Sequence, residues 1–442
     1  FAENPFDGFT ISINDDVTFK SLKTDDTFEV ETDYTSCLFY GLGSDGTVSA
    51  NKNSIKIIGD HTDLYSQAYF AYDSKKAGGV TRSFLRFGPS PIRSTYYVNN
   101  ADLISCSLDS FLVRYDMLKN LKKGGTFLLN TGYKKEEIES KLPNRVKKQL
   151  ADKQAKFFII DATKIAEEIG MGRRTNTILQ SSFFALAERI LPYEKALGYM
   201  KEMAKKSYSK KGEEVVELNY KAIDEGKNGL VQIEVKPEWS TLTVAKTRRT
   251  TGDEYFDQHV DVINGLDGYD MPVSSFTKYG LLNGSFRNNV AFSEHRAIAT
   301  QVPEWHEENC IQCGFCSFVC PHATIRTFLL DDTEVKNAPM EFATLPAQGK
   351  GVENLKFRVQ VSPDNCVGCG LCVVECPGKG GKKALTMEDV HDRLYEAPLA
   401  DYIYKNTTYK SEYMPTDSIK GSQFLMPYFE VSGACAGCGE TP

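Results

Sequence analysis

Apolar runs alternate with amphipathic stretches between residues 35 and 215 of the chain. Short runs rich in β-branched and aromatic residues predict strands, and apolar positions three and four apart predict helices. The predicted strands are 37–40, 68–72, 103–106, 126–129 and 157–160, and the predicted helices are 48–58, 135–153, 177–190 and 193–206. Because such alternation is typical of βαβ units, we expect a Rossmann-like α/β domain with a parallel sheet.

Eight of the twelve cysteines fall into two runs with one spacing, Cys-x-x-Cys-x-x-Cys-x-x-x-Cys-Pro. This is the spacing of bacterial ferredoxins, in which thiolates hold a cubane of four irons and four sulfides. Two such runs in one compact segment predict two 4Fe-4S clusters and therefore electron transfer. The first run comprises Cys310, Cys313, Cys316 and Cys320, and the second comprises Cys366, Cys369, Cys372 and Cys376.

The fourth cysteine of each run is expected to ligate the cluster of the other run. Cluster one is then held by Cys310, Cys313, Cys316 and Cys376, and cluster two by Cys366, Cys369, Cys372 and Cys320. A disulfide framework would need an oxidising compartment, and the runs are too regular for one. Structural zinc takes two ligand pairs separated by a longer spacer, which neither run shows.

Four regions follow from these patterns. Residues 1–228 are expected to form the α/β domain, and its first 30 residues are expected to be a polar, strand-like segment that leads into the sheet. Residues 229–300 are rich in Gly, Asn, Ser and aromatic residues with little periodicity, which predicts an irregular connector. Residues 301–390 form the bacterial-type ferredoxin-like α+β module, with an insertion of little helical period over 329–361. Residues 391–442 predict a strap that lies on another surface.

Length and composition narrow the class of protein. A chain of 442 residues predicts about three domains. Its hydrophobic (41%) and charged (25%) fractions are ordinary for a soluble globular protein, and no apolar stretch is long enough to span a bilayer. The net charge of −7 is mild, and no nucleic-acid partner is expected. Cys37 and Cys106 stand apart from the other cysteines and are expected to be inert core thiols. So many free thiols imply a reducing, anaerobic interior.

Residues 41–47 read GLGSDGT, a G-x-G-x-x-G pattern between a predicted strand and a predicted helix. In that context the backbone can approach a phosphate, and the helix N-terminus offers N–H donors. The next strand leads to Asp73, where a ribose-binding acid would sit, but Lys75 and Lys76 follow and favour an extra phosphate. The loop alone leaves three interpretations open: a dinucleotide site, a site for another phosphorylated ligand, and a tight turn without a ligand.

These features together resemble the pyruvate:ferredoxin (flavodoxin) oxidoreductases, which are large single-chain 2-oxoacid oxidoreductases. The resemblance covers essentially all 442 residues. One departure is Glu294-His295-Arg296, where the family has Glu-Lys-Arg before the first cluster. Besides the cysteine runs, the resemblance is carried by residues 41–52 (GLGSDGTVSANK), 69–79 (YFAYDSKKAGG), 82–94 (RSFLRFGPSPIRS), 172–180 (GRRTNTILQ), 302–310 (VPEWHEENC) and 435–442 (CAGCGETP).

The resemblance implies that the α/β domain receives coenzyme A. Coenzyme A brings a pyrophosphate for loop N–H groups and a ribose phosphate for a lysine. Asn176 and Asn219 could equally be cap or turn side chains. The matched positions implied as contacts are Gly43, Ser44, Asp45, Gly46, Thr47, Lys75, Asn176 and Asn219.

The resemblance also implies an enzyme that converts pyruvate and coenzyme A to acetyl-CoA and CO2. Thiamine diphosphate with Mg would lie in domains outside this chain, and ferredoxin or flavodoxin would accept the electrons. Residues 391–442 would lead into the C-terminal thiamine-binding domain, where Cys435 and Cys438 would hold half of a third cluster. The chain would then be an inactive central fragment of a homodimeric polypeptide, located in the cytoplasm or in an anaerobic organelle such as a hydrogenosome.

Other functions stay open at this point. The chain could be a stand-alone electron carrier, since no acid–base constellation is visible in it and no catalytic residue is assigned. The same core could be fused to a reductase domain that reduces a nicotinamide cofactor. A subunit of a multi-chain 2-oxoacid oxidoreductase is disfavoured, because in those proteins the CAGCGETP motif opens a separate subunit.

Overall fold

The computed structural model describes residues 3, 5, 7–25, 28, 30–73, 78–172, 174–245, 250–287 and 290–427, with the backbone alone for Ala291 and Phe292. The chain divides into two compact units. The first comprises residues 1–74 and 79–287, and the second comprises residues 75–78 and 288–442. Most of the segment predicted as a connector, up to residue 287, thus belongs to the first unit.

A seven-stranded mixed sheet organises the first unit, in the order β2-β3-β1-β4-β5-β6-β7. β1, β4, β5 and β6 pair in parallel, whereas β3 is antiparallel to β1 and β2, and β7 is antiparallel to β6. The strands are β1 (Thr35–Leu42), β2 (Tyr65–Tyr72), β3 (Val80–Gly88), β4 (Ala101–Cys106), β5 (Leu121–Asn130), β6 (Lys156–Ile160) and β7 (Val231–Ile233).

Both faces of this sheet are buried. Leu38 and Tyr40 point into one core, and Cys37 and Phe39 point into the other, which α-helical residues such as Phe183 complete. A sheet covered on both faces needs nearly continuous apolar strands, as β1 shows. The helices of this unit are α1 (Thr47–His61), α2 (Phe111–Arg114), α3 (Ile138–Lys141), α4 (Asn144–Asp152), α5 (Ala162–Glu168), α6 (Asn176–Leu186), α7 (Tyr193–Tyr208), α8 (Glu213–Asn228), α9 (Asp261–Asn264) and α10 (Val273–Lys278).

The expected α/β architecture is confirmed, with the parallel strands at the centre of the sheet. Two strands that the sequence did not predict, β3 and β7, run antiparallel to their neighbours. Arg82 and Arg86 interrupt the apolar pattern of β3, yet Arg86 is buried and donates to the Gln67 side chain and the Tyr96 carbonyl. Arg86 therefore makes β3 look polar in the sequence, although the side chain is buried and hydrogen-bonded within the core.

Two further expectations for the first unit are corrected. The single helix expected over 135–153 is broken at Pro143 into α3 and α4, because the residue before a proline avoids the helical region. The segment 1–30 is expected to be strand-like, but its described residues form no β-strand and make only isolated β-bridges, such as the one between Thr10 and Ser21.

The second unit carries both cysteine runs and two small sheets, ordered β10-β11-β9 and β12-β8. Its strands are β8 (Gln301–Trp305), β9 (Ile325–Leu330), β10 (Leu345–Pro346), β11 (Lys356–Val361) and β12 (Leu385–Asp389). Its helices are α11 (Ala291–Glu294), α12 (Phe315–Phe318), α13 (Asp332–Lys336), α14 (Leu371–Val374), α15 (Val390–Arg393), α16 (Ala397–Asn406) and α17 (Ile419–Ser422).

The insertion between the runs is more regular than its sequence suggested. It supplies β10 and β11, and β11 pairs with β9 along its whole length. After the second run, α16 packs Leu399 and Ile403 against Phe328 and Leu330 of β9, so the predicted strap lies on this sheet over its described residues. No helix among the described residues has both the length and the apolar character that crossing a bilayer requires.

Candidate functional site

The two cysteine runs fold into the same local structure. Gln312 and Gly368, each two residues after the first cysteine of its run, have left-handed φ angles of 56° and 65°. Gly314 and Gly370, each directly after the second cysteine, have φ angles of 79° and 76° and begin the short helices α12 and α14. These tight turns allow several thiols from one short segment to meet at a common point.

The first three cysteines of the first run meet the last cysteine of the second run. They line one small cavity. Trp305, Phe357 and Val359 close the cavity with apolar surface. The cysteines in its wall are Cys310, Cys313, Cys316 and Cys376, the set that crossed ligation requires for cluster one.

Cys320 lies among the cysteines of the second run. The pKa of the Cys366 thiol is raised to about 12, mainly by burial, and the nearby charges of Cys320 and Cys369 add to the increase. Burial likewise raises the pKa of Cys372 to about 12, with contributions from Cys366, Cys320 and Cys369. Because such electrostatic contributions require proximity, Cys320 lies near Cys366 and Cys372, as the second crossed set predicts.

The backbone donates to matching sulfurs in the two sets. The N–H groups of Gln312 and Gly368 lie 3.4 Å and 3.3 Å from the Sγ atoms of Cys310 and Cys366. Hydrogen bonds to sulfur are one of the means by which a protein sets cluster potentials. The fourth cysteines have matching donors too, because Thr324 N–H lies 3.4 Å from Cys320 Sγ and Ala384 N–H lies 3.3 Å from Cys376 Sγ.

These two sets fit iron–sulfur clusters chemically. Each has four sulfur donors, and burial is the largest cause of the raised pKa of Cys310, Cys316, Cys366 and Cys372. A cationic core is what stabilises thiolates in such surroundings. The described residues include no group of three or more His, Cys, Asp or Glu arranged around a single metal ion, and a cubane, with one iron per thiolate, does not need one.

The glycine-rich loop is braced by the carboxylate of Asp45. Four donors converge on this group: the N–H groups of Leu42 (2.8 Å) and Thr47 (2.7 Å), and the hydroxyls of Thr47 (2.8 Å) and Ser107 (2.9 Å). Gly43 and Asp45 also donate their N–H groups within the protein, to the Gly79 and Leu42 carbonyls. Asp45 and Thr47 therefore hold the shape of the loop at the start of α1.

Asn176 lies against this loop. Gly46 has a φ angle of 86°, and a Cβ added there would lie 2.9 Å from the Cγ of Asn176. The next residue, Thr177, is 3.5 Å through its hydroxyl from the Oδ1 of Asn219, whose amide donates to the Val215 carbonyl. The structure thus brings the loop, Asn176 and Asn219 together, and it engages the buried Asn219 side chain within the fold.

The loop follows β1 at the carboxyl end of the parallel strands. The chain leaves β1 towards β2 and β3 on one side, whereas β4 and the strands after it lie on the other. Such a reversal of strand order creates the crevice in which open α/β sheets bind ligands. Lys75, Cys435 and Cys438 lie outside the described residues.

Sequence reasoning missed several residues that shape these sites. Ser107, which donates to Asp45, carries a signal that could have found it: a polar residue directly after a buried strand. Trp305, Thr324 and Ala384 come from β8, from the segment before β9 and from the residue before β12. Their roles depend on strand pairing that spacing alone does not reveal.

Comparisons with known proteins agree with both halves of this arrangement. A family profile described as "Pyruvate ferredoxin/flavodoxin oxidoreductase" matches residues 36–229, and one described as "4Fe-4S dicluster domain" matches residues 309–379. The pyruvate:ferredoxin oxidoreductase of Moorella thermoacetica is 45% identical over 444 residues, which cover 100% of this chain and 37% of that protein. The pyruvate-flavodoxin oxidoreductase of Enterobacter agglomerans is 44% identical with the same coverage.

A third relative carries a different name. The mitochondrial pyruvate dehydrogenase (NADP+) of Euglena gracilis is 40% identical over 449 residues, which cover 100% of this chain and 24% of that protein. The chain therefore spans about 37% of the length of the two bacterial relatives and less of this one. Among solved structures, a pyruvate oxidoreductase subunit from Thermotoga maritima covers 46% of this chain and 100% of its own at 21% identity, with a TM-score of 0.37, too weak a likeness to add to the argument.

Proposed function

Because the chain belongs to the pyruvate:ferredoxin/flavodoxin oxidoreductase family and corresponds to a central section of its longer members, we propose that it forms the coenzyme A-binding and electron-relay part of such an enzyme. The proposed reaction converts pyruvate and coenzyme A to acetyl-CoA and CO2, and releases two electrons. The observation that carries the proposal is the interleaving of Cys376 with the first cysteine run and of Cys320 with the second.

The eight cysteines are proposed to hold two 4Fe-4S clusters, which when bound supply single-electron transfer. Cys310, Cys313, Cys316 and Cys376 would hold one, and Cys366, Cys369, Cys372 and Cys320 the other. Trp305 and Phe357 exclude water from the first site, and backbone N–H groups offset the negative charge on the sulfurs. Cys316 and Cys372 belong to the same buried cluster, so the two sites are neighbours, which suits electron transfer between them.

Coenzyme A is proposed to bind at the loop after β1. Ser44 is exposed and has a left-handed φ of 72°, beside Gly46 and Asn176. Gly43, Asp45 and Thr47 are proposed to support these contacts, since their donors and acceptors are engaged within the loop. Lys75 is the proposed partner of the ribose phosphate, and Asn219 is proposed to steady Thr177 beneath Asn176.

The rest of the proposed enzyme lies beyond the described residues. Cys435 and Cys438 are proposed as two ligands of a third cluster, and thiamine diphosphate with Mg is proposed to bind in further domains of the same polypeptide. Ferredoxin or flavodoxin is the proposed electron acceptor, as the names of the bacterial relatives suggest. We further propose a homodimer located in the cytoplasm or in an anaerobic organelle.

A second candidate function differs only in the final acceptor. The 40% identity to a pyruvate dehydrogenase (NADP+) spans this whole chain, so the same core could feed a reductase domain. The two functions are distinguished by assaying the full-length protein with pyruvate and coenzyme A. Reduction of ferredoxin or flavodoxin supports the first, and reduction of NADP+ without an added carrier supports the second.

The test combines metal analysis with this assay. The purified chain should contain about eight irons and eight sulfides for two cubanes. The full-length protein should reduce a carrier only when pyruvate and coenzyme A are both present, and Lys75→Ala should raise its Michaelis constant for coenzyme A. Full cluster content without pyruvate-dependent reduction would instead support a stand-alone electron carrier.

A further inference from the structure

The indole of Trp305 offers a hydrogen-bond donor beside the first cysteine set. Its Nε1 atom is buried and has no hydrogen-bond partner among the described residues. The side chain lines the same cavity as Cys310 and Cys376. Because a buried donor without an acceptor destabilises a fold, an orphaned donor in a ligand cavity points to an acceptor that forms when the ligand is bound.

The sulfur of Cys310 is the candidate acceptor. Trp305 and Cys310 line the same cavity and pack against the same buried apolar cluster. In this structure the indole Nε1 makes no hydrogen bond to any described residue. A neutral thiol is a weak acceptor, whereas a thiolate attracts donors more strongly. Deprotonation of Cys310 on binding iron would therefore complete this bond.

Neighbouring residues fix the orientation of the indole. Trp305 pairs with Leu385 between β8 and β12, next to Ala384, which donates to Cys376. The ring of Phe357 meets the indole edge-to-face at 6.4 Å, and the buried guanidinium of Arg358 lies 5.7 Å from its centroid. Because these contacts fix the indole ring, its N–H can donate without a further loss of side-chain freedom.

The second cysteine set has a different side-chain donor. Val361 occupies the position five residues before Cys366 that Trp305 occupies before Cys310, and its side chain cannot donate. The hydroxyl of Thr324 instead lies 3.5 Å from the Sγ of Cys320. Ala384 takes the matching place beside Cys376 and has no hydroxyl. The two sites thus share backbone donors and differ in their side-chain donors.

We propose that Trp305 tunes cluster one by donating its indole N–H to the Cys310 thiolate, which raises the reduction potential of that cluster alone. This inference rests on the proposed function, because it requires that the clusters be bound. A donor to sulfur favours the reduced cluster, which carries one more negative charge than the oxidised cluster. Thr324 is proposed to act in the same sense on cluster two.

The test is a pair of matched variants of the full-length protein. Trp305→Phe removes the N–H and keeps an aromatic ring, and Thr324→Val removes the hydroxyl and keeps the branched shape. In redox titrations followed by electron paramagnetic resonance, Trp305→Phe should shift one cluster to a more negative potential and leave the other unchanged. Thr324→Val should shift the other cluster. Unchanged potentials in Trp305→Phe, or equal shifts of both clusters, would overturn the proposal.

A second measurement keeps the proposal testable if Trp305→Phe does not fold. The 442-residue chain purified by itself contains two tryptophans, Trp239 and Trp305, so Trp239→Phe in that chain confines an indole ¹⁵N label to Trp305. Pulsed electron paramagnetic resonance of the reduced protein should then show coupling of the ¹⁵N nucleus to one cluster. Absence of this coupling would overturn the proposal. Metal analysis separates the two levels of inference. Lack of iron and sulfide refutes cluster binding, whereas full loading without either effect refutes the role of Trp305 alone.

Discussion

The backbone N–H of Ala384 lies 3.3 Å from the Sγ of Cys376, and this cysteine lines the cavity formed by the first run. Thr324 has the same relationship to Cys320, at 3.4 Å, beside the cysteines of the second run. The backbone that follows each fourth cysteine thus donates to its sulfur, and the cysteine lies among the thiols of the other run.

Crossed ligation predicts which cluster each substitution destroys. Cys313→Ser and Cys369→Ser define the spectral and redox signatures of losing cluster one and cluster two. Cys376→Ser should then resemble Cys313→Ser, and Cys320→Ser should resemble Cys369→Ser. Electron paramagnetic resonance and iron analysis of the four variants provide the measurement. If Cys320→Ser instead resembled Cys313→Ser, each run would hold its own cluster, and crossed ligation would be contradicted.

Gly46→Ala should weaken coenzyme A binding at the loop. The new Cβ would meet Asn176 at 2.9 Å, and the left-handed φ of 86° costs an alanine roughly 1–2 kcal/mol. Gly124→Ala is the matched control, because Gly124 has a φ of 74° and nothing within 4 Å of an added Cβ. Calorimetric titration of the full-length protein with coenzyme A should show weaker binding for Gly46→Ala alone. Equal affinity in both variants would count against ligand binding at this loop.

Lys410→Met should loosen the segment after the second run. The Lys410 Nζ lies 2.6 Å from Glu334 Oε2, and both side chains are about one-tenth exposed, at 9% and 11%. Removing one partner of a buried pair costs roughly 3–5 kcal/mol, because the other charge is left uncompensated. Urea unfolding and the rate of proteolysis near residue 410 measure the effect.

The control for that variant is an exposed ion pair within α16. Lys405 and Asp401 form a 4.0 Å pair with side chains 47% and 38% exposed. Lys405→Met should change the free energy of unfolding by about 0.5 kcal/mol or less, since exposed pairs contribute little. Equal losses in the two variants would refute a special role for the Lys410–Glu334 pair.

Cys106 should resist alkylation in the folded protein. It is completely buried, and burial raises the pKa of its thiol to about 12, whereas an unfolded cysteine titrates near about 8.5. Below about pH 8.5 the thiol is protonated in both states, and between about pH 8.5 and 12 only the unfolded chain releases its proton, so stability falls as pH rises. Iodoacetamide at pH 8 should modify Cys106 only after urea is added.

The matched variant for this pH dependence is Cys106→Ala. Its unfolding midpoint should decline less steeply than that of the parent between about pH 8.5 and 10. Identical slopes, or rapid alkylation of Cys106 in the native protein, would show that this thiol is not held protonated by the core.

The sequence predicted the features that follow from local spacing. The fixed intervals from Cys310 to Cys320 and from Cys366 to Cys376 constrain the chain chemically, and the apolar runs of β1, β4 and β6 are long enough to dominate their surroundings. The ferredoxin-like module and the centre of the α/β sheet could therefore be foreseen.

What the sequence concealed depends on tertiary partners. Arg86 and Arg358 lie inside β3 and β11 and look like surface positions, yet the fold buries both and supplies Gln67 and Gln360 as their acceptors. Trp305 looked like one letter of a family motif, and only the pairing of β8 with β12 places it in the wall of a cavity. Long-range contacts of this kind leave no periodic trace in a single sequence.

The interleaved cysteine sets also constrain the order of biogenesis. A nascent chain that has emerged only as far as the first run can present Cys310, Cys313 and Cys316 but not Cys376. The first set of four sulfurs is complete only after synthesis has passed residue 376, and the second only after residue 372, and both also require the two runs to pack together. Iron delivery is thereby coupled to a long-range folding event, so a ribosome stalled within the insertion would release a polypeptide unable to complete either set.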